Sequence, residues 1–167
     1  MVDPYRTMKS WLRISVMWLA AVMLLALVAC SERDGVISVA DDDPEMTAAI
    51  AKARSTLPQF WQTFEKPGKG EEGFALKVAI TDPNGTEHFW ANKIERQDGK
   101  IFGVIDNTPN IVENVKIGDR IEIPEANISD WLYTRDGKMV GNETVRPLFK
   151  QMSKAEVARF KSMMAEP

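Results

Sequence analysis

The stretch Phe74-Ala75-Leu76-Lys77-Val78-Ala79-Ile80 decides the fold. Large apolar side chains at 74, 76, 78 and 80 alternate with Ala, Lys and Ala, the period-two pattern of a strand with one buried face. Pro83-Asn84-Gly85 turns the chain, Thr86 to Ile94 returns as a second strand, and Asp98-Gly99 turns it again into Lys100 to Ile105. After a loop around Asn107-Thr108-Pro109-Asn110, Arg120 to Ile123 reads as a strand. Ile128 to Thr134 is another, joined through Arg135-Asp136-Gly137 to Lys138-Met139-Val140. An antiparallel meander of five or six strands is expected, a curled sheet or half-barrel packed against a helix.

Helices flank the meander. Asp43 is an N-cap with Pro44 at the first helical position, and Met46, Ala49, Ile50, Ala53 and Leu57 follow on one stripe. Pro58 is expected to break or restart this helix, and Phe60, Trp61 and Phe64 form a second short apolar face. Lys66 to Gly73 reads as a loop; no Gly-Lys-Ser/Thr closes it, which excludes a phosphate-binding P-loop. At the far end, Ser153-Lys154-Ala155-Glu156 is a capping box before Val157, Phe160 and Met164. The fold class is α+β: N-terminal helix, antiparallel meander, C-terminal helix.

Upstream of Asp43 the sequence changes character. Lys9 and Arg13 precede a 16-residue uncharged run, Ile14 to Ala29, short for a spanning helix and normal for a signal-peptide core. It ends Leu27-Val28-Ala29-Cys30, which resembles a bacterial lipobox, where small residues precede a Cys that is lipidated and becomes the first residue of the mature chain. Residues 1–29 are then a lipoprotein signal peptide, 30–43 the lipidated Cys30 and a flexible tether, and 44–167 the single domain. Met8-Lys9 makes a more typical opening for such a peptide than Met1. Ser31 stands where inner-membrane retention usually has Asp, so the resemblance implies a membrane anchor on the periplasmic face of the outer membrane. The tether's 13 residues from Ser31 reach about 20 Å as a flexible chain.

Composition narrows the function classes. The chain has 167 residues with net charge −3, becoming −5 once residues 1–29 are removed, so nucleic acid is not an expected partner. One Cys and one His exclude multi-thiolate and multi-histidine metal sites; no metal and no cofactor is expected. With Cys30 lipidated, no free thiol remains for chemistry.

Glu87-His88-Phe89-Trp90, Lys116-Ile117-Gly118-Asp119-Arg120-Ile121, Ile128-Ser129-Asp130-Trp131-Leu132-Tyr133 and Thr144-Val145-Arg146 together resemble the YegJ-like family of bacterial proteins, a domain of unknown function. The likeness covers roughly residues 43 to 160 and implies a fold without implying a reaction. Gly141-Asn142 stands where the family pattern tends to have paired glycines.

Three uses of the domain are distinguishable. The preferred one is a non-enzymatic binding module for a protein or cell-wall partner. In it Trp90 and Trp131 share a sheet face, with Asn92, Tyr133 and Arg146 at its edge; the alternative for both indoles is packing under the helices. The second is an envelope hydrolase acting on peptidoglycan or a small ester. It must use His88, with Ser129, Thr134 or Thr144 as nucleophile, or else a carboxylate pair drawn from Glu87, Asp106, Asp119 and Asp130. The third, an inhibitor of a lytic enzyme, fits the location and size and rests on analogy alone.

Overall fold

The computed structural model describes residues 43–165, so the signal peptide, Cys30 and the rest of the tether lie outside the described residues. Helix α1 (Pro44–Glu65) begins where expected: the Asp43 carboxylate accepts the backbone N–H groups of Glu45 and Met46 at 2.8 and 2.9 Å. Pro58 neither ends nor restarts it. The helix runs through as one element because Pro58 faces solvent while Ala53, Leu57, Phe60 and Trp61, on both sides of it, are buried in a common core. That burial outweighs a proline cost of about 3 kcal/mol.

Six antiparallel strands follow: β1 (Glu71–Asp82), β2 (Gly85–Gln97), β3 (Lys100–Ile105), β4 (Arg120–Glu122), β5 (Ile128–Arg135) and β6 (Lys138–Gly141). The first four form the meander; β5 then pairs with the free side of β1, giving the order β4-β3-β2-β1-β5-β6. Edge strands β4 and β6 do not meet, so the sheet is open and not a barrel. Strand β1 starts at Glu71, inside the expected loop. Asp98-Gly99 and Asp136-Gly137 take positive φ, as tight two-residue hairpins require.

Helix α1 covers one face of the sheet. Leu76, Val78, Ala91 and Ile101 meet Leu57, Phe60 and Trp61 there, and Trp131 donates its indole N–H to the Ala53 carbonyl at 2.9 Å. A smaller apolar cluster of Phe89, Ile105 and Val112 lies under the 106–119 loop. Two carboxylates hold that loop: Glu87 accepts the N–H groups of Asn110, Ile111 and Val112, and Asp82 that of Glu113 at 2.7 Å. Helix α2 (Lys154–Met163) carries the expected capping box but buries no residue. After it, Ala165 donates its N–H to Met139 at 2.7 Å and covers part of the β6 edge. Among the described residues no helix is long and apolar enough to cross a membrane.

Candidate functional site

The β1–β2 ladder stops short. Paired residues run from Asp82–Gly85 back to Leu76–Ala91, and beyond that pair the strands part. Residues 71–75 of β1 stay with β5, while residues 92–97 of β2 stay with β3. Each strand bulges where it parts. On β1, Gly73 and Phe74 together oppose the single residue Tyr133; on β2, Lys93 and Ile94 oppose Gly103. Gly73 and Lys93 both have positive φ, the geometry of a bulge that bends a strand and increases its twist.

A cleft of about 710 Å³ occupies the gap. Its lining comes from both faces of the sheet: Trp90, Asn92 and Leu132 from the face away from α1, and Phe64, Phe74 and Ile94 from the helix side. Residues from both faces line one cavity because the cavity passes between the strands. Its size falls within the range of ligand sites, and its walls are mainly apolar with a few polar groups. The Asn92 Oδ1 atom is buried with no hydrogen-bond partner. Asn107 Oδ1 accepts the Trp90 backbone N–H at 2.9 Å and so holds the loop to the cleft wall.

Beside Trp90, a row of residues crosses three strands. Lys77 on β1 is the register partner of both Trp90 on β2 and Asp130 on β5. Its Nζ lies 5.7 Å from the Trp90 ring centre and donates to Thr144 Oγ1 at 3.1 Å. The same hydroxyl donates to Asp130 Oδ2 at 2.7 Å, so the two charges meet through Thr144. Asp130 also accepts the backbone N–H groups of Thr144, Glu143 and Trp131. Burial pushes its carboxyl above the ordinary carboxylate range, against the pull of these hydrogen bonds. Burial also lowers the Lys77 amine, and the Asp130 charge opposes that shift.

His88 lies on the same face one pair further along β2, its Nδ1 2.8 Å from Ser129 Oγ. With the Ser129 hydroxyl donating to the Lys77 carbonyl at 3.2 Å, the imidazole donates its Nδ1–H to Ser129; in the other tautomer the imidazole accepts from Ser129. Ser129 itself is 4% exposed.

Of the five candidate binding residues, Trp90 and Asn92 share the cleft and the other three do not. Trp131 and Tyr133 lie on the opposite face, buried and stacked on each other at 6.0 Å, with Tyr133 also stacked on Phe74 at 5.2 Å. The expectation that the two indoles share a face is overturned by the register: Lys77 sits opposite Trp90 and its neighbour Leu76 opposite Trp131, and neighbours on a strand point to opposite faces. Arg146 is exposed and pairs with Glu143 at 2.9 Å on the turn after β6. Among the possible carboxylates, Asp106 lines the cleft, while Glu87 is engaged by the loop, Asp119 caps Lys116 N–H in a turn, and Asp130 is buried. No cluster of three metal-ligating side chains occurs among the described residues.

Sequence reasoning missed Lys77, Phe64, Phe74 and Asn107. Lys77 carried a signal, as the only charged side chain on the small face of the Phe74–Ile80 alternation. Phe64 and Phe74 read as core, which they also are.

A family model described as "Uncharacterized protein conserved in bacteria" (DUF2314) matches residues 43–165. The chain is 36% identical over 131 residues to the Escherichia coli (strain K12) "Uncharacterized protein YegJ", covering 78% of this chain and 84% of that protein. It is 29% identical over 122 residues to a Neisseria meningitidis serogroup B protein named for ankyrin repeats, covering 68% of this chain and 48% of that one. No solved structure matches.

Proposed function

The chain belongs to this family of uncharacterized bacterial proteins, and from that premise we propose that it is a lipid-anchored envelope protein acting as a non-enzymatic binding module. The anchor is Cys30, facing the periplasm from the outer membrane. It is supported by the uncharged run from Ile14 to Ala29 ending on the only Cys of the chain. The domain holds a protein or cell-wall partner in the β1–β2 cleft. The observation that carries the binding role is the cleft itself, with the half-exposed Trp90 ring and the unpartnered Asn92 oxygen on one wall.

A pull-down from detergent-solubilised envelopes tests it, with the full chain as bait and Trp90→Ala as control. A partner held by the wild type and lost from a folded Trp90→Ala protein supports the module. Equal capture by both removes the cleft from the account. For the anchor, palmitate labelling that persists in Cys30→Ala overturns it.

The 2.8 Å contact between His88 and Ser129 favours one second reading, an envelope hydrolase using His88. It requires the Ser129 proton to pass to the imidazole and a 4%-exposed hydroxyl to reach substrate. Unchanged hydrolysis by a folded His88→Ala protein removes that mechanism.

A further inference from the structure

We propose that the occupant of the β1–β2 cleft is an extended polypeptide segment, added as a strand between residues 71–75 and 92–97 and carrying an acidic side chain opposite Lys93; this deepens the binding reading and rests on it.

Three observations point to main-chain recognition. First, the two walls are strand edges. Beyond Leu76–Ala91 neither β1 nor β2 has a ladder partner on the side facing the other, yet each remains paired on its far side. Two strand edges that lack a ladder partner on their facing sides match an inserted strand, which offers donors and acceptors on both its sides; on β1 the Glu71 N–H is already taken by the Gly68 carbonyl, so the guest's contacts begin after it. Second, the lining alternates by face. Trp90, Asn92 and Leu132 stand on one side of the gap and Phe64, Phe74 and Ile94 on the other. Successive side chains of an extended segment point to opposite sides and meet these two sets in turn. The buried, unpartnered Asn92 Oδ1 needs a donor, which the segment supplies from an N–H.

Third, Lys93 adopts φ 47°, while the other non-glycine residues with positive φ among those described are Asp98, Asp136 and Asn142. Asp and Asn tolerate this region; a long side chain there is strained, and glycine at the same place would not be. Lys93 and Asp106 are both exposed and line the cleft, and the strained Lys93 is the charge that an acidic side chain of the guest would meet.

The test selects a randomised octapeptide library on the full chain in detergent, with Ala75→Trp, which fills the cleft, as counter-target. Circular dichroism checks that the variant folds. The expected peptides alternate apolar side chains and carry an acid. They lose binding about tenfold or more when every second peptide nitrogen is methylated, because each methyl removes a main-chain donor. They also slow amide exchange at residues 73–75 and 92–94. Binding that survives N-methylation overturns strand addition and leaves the binding module standing. A tryptophan fluorescence response to chitotetraose that is lost in Trp90→Phe, with no peptide enriched, makes the guest a glycan and overturns the proposal. No response to either probe overturns it and the cleft reading together.

Discussion

Gly73 and Lys93 hold the same left-handed backbone conformation on facing walls of one cleft, at φ 66° and 47°. Each is the first residue of a bulge in which two residues oppose one, on strands that pair elsewhere as neighbours. The two bulges turn β1 toward β5 and β2 toward β3, and the opening between them is the candidate site. One bulge uses the residue that suits this conformation and the other does not.

Lys93→Gly is therefore expected to gain about 1 kcal/mol in stability by relieving the left-handed strain, while weakening capture of an acidic guest. Urea unfolding measures the first effect and peptide titration the second. A Lys93→Gly protein less stable than wild type contradicts the assignment of strain.

Asp130→Asn should destabilise the domain by about 3 kcal/mol. All four groups bonded to the carboxylate are donors, so an amide nitrogen in place of either oxygen faces a donor in a buried site. Thr144→Val removes the hydroxyl linking Lys77 to Asp130 and should cost about 1–2 kcal/mol. Chemical denaturation of both variants checks the order of the two losses.

The two tryptophans should separate cleanly. Trp131→Ala removes a 5%-exposed ring from the main core and leaves the Ala53 carbonyl without its indole donor, a loss of about 3–5 kcal/mol. Trp90→Ala, at a partly exposed position, should cost about 1 kcal/mol and abolish partner capture. Thermal unfolding and pull-down on the same two proteins decide it.

Gly141→Ala should disrupt the β5–β6 hairpin. A Cβ there would lie 2.3 Å from the Trp131 carbonyl oxygen and 2.7 Å from its ring, at a φ of 86° that already disfavours a side chain. A loss above about 2 kcal/mol is expected; Asn142→Gly, at φ 54°, should be tolerated. Melting temperatures of the two variants test the contrast.

Acid should release the 106–119 loop. Partial burial raises the Glu87 carboxyl, but the N–H groups of Ile111, Asn110 and Val112 outweigh it and hold the group below its ordinary value. The Glu113 N–H does the same for Asp82. A carboxylate with a lowered folded pKa contributes stability above its unfolded value and loses it as pH falls through the folded one. Protection of the amides of residues 110–113, taken relative to the intrinsic exchange rate at each pH, should fall below about pH 4 and hold above it, ahead of protection in β1. Uniform protection down to global unfolding contradicts the prediction.

The strands and turns were legible because their signals are local. Alternation marked β1, β2 and β3, and Asp98-Gly99 and Asp136-Gly137 marked hairpins whose positive φ the backbone shows. The departure at Gly141-Asn142 is explained by the same chemistry: Asn142 takes the left-handed conformation that a second glycine would. Pro58 misled because local propensity predicts a break, while Leu57, Phe60 and Trp61 are buried together in one core. For the site, Trp90 and Asn92 were found two apart on one strand, a local relation. Trp131, Tyr133 and Arg146 were joined to them on the assumption of a shared face, which depends on register between strands.

The amino-acid order by itself determined the α+β class, the caps, the hairpins and the apolar faces of α1 and β1, since each follows from forces acting within a few positions of the chain. Only the tertiary structure decided which face each tryptophan takes, that Lys77 reaches Asp130 through Thr144, and that β1 and β2 part at Leu76–Ala91. A shift of one residue in strand pairing reverses every side chain, and the pairing that places Trp131 joins β1 to β5, strands distant in sequence whose register shifts have no local signal.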